Sequence, residues 1–150
     1  MVRHEAAEAL GALGHAESLP LLREYLNDPE EVVRQTCELA IARINWVASQ
    51  KGGEENNKNG SDQEGGLFAG VIDPAPSAKD GSVEELQKTL NDQGTDLFGR
   101  YRAMFRLRDI GSKEAIDALA SGFGDPSVLF RHEVRYLISV PAINRANVMQ

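Results

Sequence analysis

The amino-acid sequence repeats itself at a fixed step. Setting Arg3 over Arg34, a step of 31 residues, aligns Val2-Arg3-His4-Glu5-Ala6-Ala7-Glu8-Ala9-Leu10 with Val33-Arg34-Gln35-Thr36-Cys37-Glu38-Leu39-Ala40-Ile41. Setting Arg3 over Arg100, a shift of 97, places Leu10 on Leu107, Leu13 on Ile110, Gly14 on Gly111, Glu17 on Glu114, Leu19 on Ile116 and Leu22 on Leu119. Asp28-Pro29 falls on Asp125-Pro126 without a gap, and a further unit opens at Arg131, again 31 residues after Arg100. There are thus four units, with Arg3, Arg34, Arg100 and Arg131 equivalent, arranged as two pairs around an insert. Self-similarity at a fixed step means copies of one supersecondary unit that bury their apolar faces against one another.

The unit is helical. Ala6, Leu10 and Leu13, then Leu19, Leu22 and Leu26, recur at intervals of three and four, the spacing of one face of an α-helix. Gly14 between the two runs predicts a helix C-terminus. Asp28-Pro29-Glu30-Glu31 predicts a helix start, with Asp28 as N-cap, proline at the first helical position and acid in the first turn. Each unit is expected to be two short helices, and the fold an all-α, HEAT-like helical repeat (an α-α superhelix) of two repeat pairs joined by a flexible linker. The expected boundaries are a repeat pair over 1–48, the linker over 49–81, further repeats over 82–138 and a divergent tail over 139–150, where Pro141 would stop the helix. The linker contains Lys51-Gly52-Gly53-Glu54-Glu55-Asn56-Asn57-Lys58-Asn59-Gly60-Ser61, too polar to bury a core. A short apolar island (Leu67, Phe68, Val71, Ile72) is expected to dock on a repeat, Asp73-Pro74-Ala75-Pro76 to be extended, and Ser82-Val83-Glu84-Glu85 to form a capping box.

Composition removes several function classes. Asp and Glu outnumber Lys and Arg 23 to 16, for a net charge of −7, with no basic block. Nucleic-acid binding, which needs clustered cations to replace phosphate counterions, is not expected. Cationic partners suit such a surface better. No apolar run approaches the ~18 residues of a membrane span, and Met1-Val2-Arg3-His4-Glu5 carries no apolar signal core. The single cysteine, Cys37, rules out an intrachain disulfide and suits a reducing compartment, so the expected location is the cytosol.

The chemistry-bearing residues are two His-Glu pairs at equivalent positions, His4-Glu5 and His132-Glu133; the intervening units have Gln35-Thr36 and Tyr101-Arg102 there. Adjacent helical residues point about 100° apart, so each pair offers an imidazole and a carboxylate to neighbouring sectors. That combination suits iron or manganese, and a 2-His-1-carboxylate set with open positions is the pattern of non-haem iron oxygenases. Two pairs could hold one such metal if the two halves face each other. A lone His-Glu on an exposed helix would carry no meaning; recurrence at one repeat phase, each time after an arginine, argues for a ligand set. His4, Glu5, His132 and Glu133 are therefore the expected metal ligands. No residue is assigned a catalytic role, and without a P-loop, GxGxxG, GxSxG or CxxC no organic cofactor site is expected. His15 is expected in a solvated turn, Cys37 in the core, Trp46 at a helix end, Tyr101 and Met104 in packing, and Glu8 one turn below His4, at a pocket or in water. Arg3 and Arg131 are expected to pair with nearby carboxylates, in a structural role or in support of the ligands.

The string Met1-Val2-Arg3-His4-Glu5-Ala6-Ala7-Glu8-Ala9-Leu10-Gly11-Ala12-Leu13-Gly14 resembles the deoxyhypusine hydroxylase family. So do Val71-Ile72-Asp73-Pro74-Ala75-Pro76, Phe98-Gly99-Arg100-Tyr101-Arg102-Ala103-Met104-Phe105-Arg106-Leu107-Arg108 and Leu129-Phe130-Arg131-His132-Glu133-Val134. The resemblance covers roughly Met1 to Tyr136 apart from the middle of the linker. It implies eight HEAT-like repeats in two halves around a variable loop, with four His-Glu motifs holding two irons. It implies an iron-dependent monooxygenase that hydroxylates the deoxyhypusine residue of translation initiation factor five-A. By matching, His4-Glu5 is the second motif of the first half and His132-Glu133 the first motif of the second. The outer repeats, with two motifs, have no match here, so the expectation is a fragment of marginal stability with an incomplete di-iron site. A homodimer would restore four motifs in number. The alternative reading is a non-catalytic HEAT-repeat protein-interaction module with inert His-Glu pairs.

Overall fold

The structure, a computed structural model, describes residues 1–51 and 72–139, which form two compact units divided between Ala75 and Pro76. All regular structure among the described residues is helical, as the repeat requires. The first unit holds α1 (Val2–Leu13), α2 (Leu19–Glu24) and α3 (Glu31–Lys51); the second holds α4 (Val83–Asn91), α5 (Leu97–Ile110), α6 (Lys113–Ala120) and α7 (Val128–Ser139). The repeat shift of 97 carries α1 onto α5, α2 onto α6 and Glu31 at the start of α3 onto Val128 at the start of α7.

In the first unit α1 and α2 pack on α3, whose residues Val33, Cys37, Ala40 and Ile44, spaced by four, three and four, close a core with Ala7 and Leu22. Burial of each of Leu22, Val33 and Ile44 contributes roughly 1.5–3 kcal/mol. Gly11 lets α1 come close to α3: a Cβ there would stand 2.9 Å from both Cα and Cβ of Ala40. Cys37 is in this core, as expected, and burial pushes its thiol up. The second unit centres on Tyr101, which meets Phe105 and Phe130 edge-on with ring centroids 6.1 and 5.4 Å apart; Leu90, Met104, Leu107, Leu119 and Val134 complete it. Tyr101 and Met104 are thus packing residues.

The helix-end expectations hold at both glycines: Gly14 (φ 70°) and Gly111 (φ 63°) adopt the left-handed conformation and return their N–H to Leu10 and Leu107. Two expectations need correction. Asp28 does not cap a helix at Pro29; its carboxylate accepts the Glu30 N–H at 2.9 Å, a side-chain turn that precedes α3 at Glu31. In the second unit Asp125 likewise accepts from Ser127 N–H at 2.8 Å, and Ser127 caps α7 through Phe130 N–H. Nor does the second unit of the first pair break after one short helix. The register position of Gly14 is Asn45 in α3, so nothing stops the helix there, and it continues to Lys51 through Trp46, which is mid-helix and half-buried.

The insert begins after this extension. Leu67, Phe68 and Val71 lie outside the described residues, as does the tail beyond Ser139; Ile72 is exposed. Residues 76–78 run along α5: Arg102 Nε donates to Pro76 O at 3.2 Å, Ala78 N–H donates to Arg102 O at 3.0 Å, and the Ser77 hydroxyl donates to Asp109. The Ser82 capping box forms as its sequence predicts, with Ser82 Oγ accepting Glu85 N–H at 3.3 Å and Glu85 Oε2 accepting Ser82 N–H at 2.9 Å.

The four equivalent arginines explain why the repeat carries Asp-Pro. Arg3 grips the Asp28 carboxylate with Nε at 2.8 Å and Nη2 at 3.1 Å, and Arg34 donates to Asp28 O and Pro29 O at 2.7 and 2.9 Å. In the second unit Arg100 pairs with the Asp125 carboxylate, while Arg131 donates to Asp125 O and to Pro126 O, the latter at 2.9 Å. Each Asp-Pro corner is thus held by its carboxylate from one repeat and by its carbonyls from the next. The hydrogen bonds from Arg3 and from Glu30 N–H hold the Asp28 carboxyl below the usual range. Burial pushes Asp125 up, and the bonds from Gln93, Arg100 and Ser127 overcome it, leaving Asp125 low as well.

Candidate functional site

His4 lies on α1 in line with Ala7 and Gly11, the positions three and seven residues on, which are buried. The stripe faces α3, so the His4 ring leans toward that helix, with 20% of its side chain exposed. Its Nδ1 is 2.7 Å from Oγ1 of Thr36, a residue only 5% exposed. The Thr36 hydroxyl also stands 2.8 Å from Val32 O, one turn back along α3. On the other side of the ring, Nε2 is 3.9 Å from Glu8 Oε2, whose side chain is 51% exposed. Glu5 is exposed, one position round the helix from His4.

The second motif sits in the second unit, on α7. Phe130 and Val134 on either side of it are buried, which fixes the rotation of the helix. Arg131 is held by the Asp125-Pro126 corner; His132 is exposed and Glu133 half-buried. Within the first unit His4, Glu8 and Thr36 come together; within the second, His132 and Glu133 are neighbours on α7. Among the described residues no group of three or more His, Cys, Asp or Glu side chains is assembled for a metal ion. Each motif instead offers a partial donor set of one imidazole and one carboxylate, the types that non-haem iron takes. His4, with one ring nitrogen tied to a hydroxyl and the other left beside a carboxylate, fits that use best.

Thr36 is the residue that reading the sequence missed, because it was counted only as part of a motif-free unit. Its register was a signal: it occupies in α3 the place that Glu5 occupies in α1. Arg3 and Arg131 prove to belong to the Asp-Pro corners, Arg3 on a carboxylate as expected and Arg131 on backbone carbonyls instead. His15 is exposed in the turn after Gly14. No helix among the described residues is long and apolar enough to cross a membrane.

Comparison with known proteins supports the repeat and the family resemblance. A model for HEAT repeats matches residues 1–48, and one for the PBS lyase HEAT-like repeat matches residues 99–125. The chain is 57% identical over 141 residues to a deoxyhypusine hydroxylase of Candida glabrata, covering 91% of this chain and 42% of that protein. It is 54% identical to the Saccharomyces cerevisiae deoxyhypusine hydroxylase, covering 91% of this chain and 41% of that one. The Danio rerio deoxyhypusine hydroxylase is 46% identical, with coverages of 92% and 43%. A solved structure of human deoxyhypusine hydroxylase in complex with glycerol matches with a TM-score of 0.77 at 46% identity, covering 91% of this chain and 44% of that one. The chain therefore spans less than half the length of these relatives.

Proposed function

We propose that this chain, a relative of the deoxyhypusine hydroxylases along nine-tenths of its length, serves an iron-dependent monooxygenase reaction of hypusine biosynthesis, with His4, Glu5, His132 and Glu133 as iron ligands. One observation carries the reading. His-Glu recurs at the same register of two helices, α1 and α7, in a chain 57% identical to proteins named for that hydroxylation. Iron, when bound, supplies the activation of dioxygen. The chain's own part is to hold imidazole and carboxylate donors on helices whose rotation is fixed by packing and by the arginine-held corners.

The substrate proposed is the deoxyhypusine residue of translation initiation factor five-A, a protein-borne cationic side chain suited to a chain of net charge −7. The setting is cytosolic. Two motifs supply two imidazoles and two carboxylates, half of the four-motif set the family resemblance implies, so this chain alone carries at most a partial centre. A homodimer would bring the number to four motifs. The test is Fe(II) titration of the purified chain under anaerobic conditions, with His4→Ala and His132→Ala in parallel. Binding is expected in the parent chain and weaker in each variant. No stoichiometric binding, or binding that neither substitution alters, would remove the metal reading.

A further inference from the structure

We infer that Thr36 is a positioning residue for His4: its hydroxyl holds the imidazole as the Nδ1–H tautomer and leaves Nε2 as the atom that meets a metal ion. The inference deepens the iron site proposed above and rests on that reading of His4.

The argument is a count of protons. The Thr36 hydroxyl has one proton and two neighbours that can accept it, Val32 O at 2.8 Å and His4 Nδ1 at 2.7 Å. Two oxygens 2.8 Å apart with no proton between them repel, so the proton must lie on the line to Val32 O. Thr36 Oγ1 is then the acceptor in the second contact, and Nδ1 of His4 carries a hydrogen. A neutral imidazole has only one N–H, so Nε2 bears the lone pair. Glu8 does not reverse this: its oxygen, 3.9 Å from Nε2, is beyond hydrogen-bond reach and does not hold a proton there. It is near enough to favour a cation at Nε2.

Histidine free in water prefers the opposite tautomer, so the Nδ1–H form here is imposed by the fold. The bond is shielded, since Thr36 is 5% exposed, and the side chain is stiff at χ1 and anchored to its own helix. A metal-bound histidine commonly donates its second ring N–H in this way, which fixes the ring and raises its basicity. The brace comes from the neighbouring unit, at the register of Glu5; the unit without a His-Glu motif contributes to the one that has it. His132 and His15 are exposed and make no such bond among the described residues, so they serve as internal references.

The test uses the metal-free, nitrogen-15-labelled full chain at about pH 8, where imidazole is neutral. Long-range proton–nitrogen correlation spectra distinguish the two tautomers. One imidazole, absent in His4→Ala, is expected to show the Nδ1–H pattern. Thr36→Val, which keeps the shape and removes the acceptor, should convert it to the Nε2–H pattern, and Thr36→Ser should restore it. In Co(II) titrations Thr36→Val should bind about tenfold to a hundredfold more weakly than the parent chain, with Thr36→Ser close to the parent. An Nε2–H pattern for His4 in the parent chain, or an Nδ1–H pattern that survives Thr36→Val, overturns the inference. So does a tautomer switch that leaves Co(II) affinity unchanged. A parent chain that shows the Nδ1–H pattern yet binds no Co(II) overturns the iron site itself and takes the positioning role with it.

Discussion

The two Asp-Pro corners are chemically the same and differently buried, which makes their aspartates a controlled comparison. In the second unit the Arg100 side chain is 5% exposed and that of Asp125 2%. The guanidinium lies 4.2 Å over the Phe130 ring and donates to Leu90 O at 2.9 Å as well as to Asp125. Asp125→Ala leaves that cation in an apolar setting without its counter-ion and orphans the N–H of Ser127. Breaking a buried pair by removing one partner costs about 3–5 kcal/mol, a large fraction of the roughly 5–15 kcal/mol that holds a domain together. In the first unit Arg3 is 50% exposed, so Asp28→Ala releases a guanidinium that water can solvate, and the loss should be clearly smaller. Because the described residues divide into two compact units, the assay is hydrogen exchange followed peptide by peptide. Amides of α5 and α6 should exchange between about a hundredfold and a few thousandfold faster in Asp125→Ala, at one decade per 1.4 kcal/mol. Amides of α1 and α3 should change much less in Asp28→Ala. Equal effects, or a larger one at Asp28, would refute the view that burial of the arginine sets the value of the corner.

Gly11→Ala should destabilise the first unit even though alanine is the better helix former by about 1 kcal/mol. The added Cβ meets the backbone of Ala40 at 2.9 Å, which cannot yield as a side-chain tip would, and overpacking of this kind costs about 1–3 kcal/mol; a raised thermal midpoint would contradict the α1–α3 contact. Acid should also weaken both units through their corners. Asp28 and Asp125 are held below the usual carboxylate range in the folded chain, so their contribution is present in full above the unfolded value of about 3.9 and is lost as pH falls through the lower folded values. The acid-induced loss of helical circular dichroism below about pH 4 should be shallower in Asp125→Ala, which has already lost one of the two carboxylates; an unchanged slope would show that the corner does not titrate with folding.

The repeat was legible in the sequence because helix-forming patterns are local. Leucines at three and four, glycine at the turn and Ser82 with Glu85 each act within one or two turns of chain, and each appears where its spacing places it. The missing turn in α3 was not expected, each unit being read as two short helices, although Asn45 stands where Gly14 and Gly111 end theirs. What did not show was set by partners without a residue-type signature. Arg131 binds backbone carbonyls, which every residue has. Asp28 caps a turn instead of a helix, its carboxylate taking the Glu30 N–H while α3 starts only at Glu31. Thr36 matters because a hydroxyl in a neighbouring repeat happens to face a ring nitrogen, a pairing that periodicity brings within reach and does not name.

The corner arginines bear on how the His-Glu recurrence is to be read. Arg34 and Arg100 make their corner contacts in units whose next two residues are Gln35-Thr36 and Tyr101-Arg102. The arginine is therefore required by the stacking of repeats whether or not a metal ligand follows it, and its presence before His4 and His132 adds nothing to the case for iron. What it does add is orientation. With Arg3 fixed on Asp28, the next residue points about 100° round the helix, and in α1 that direction leads to Thr36 on α3. A histidine placed directly after a corner arginine inherits a fixed azimuth from a contact it does not make. In the first unit the corner contact thus sets the direction in which His4 reaches α3, whatever that residue goes on to bind.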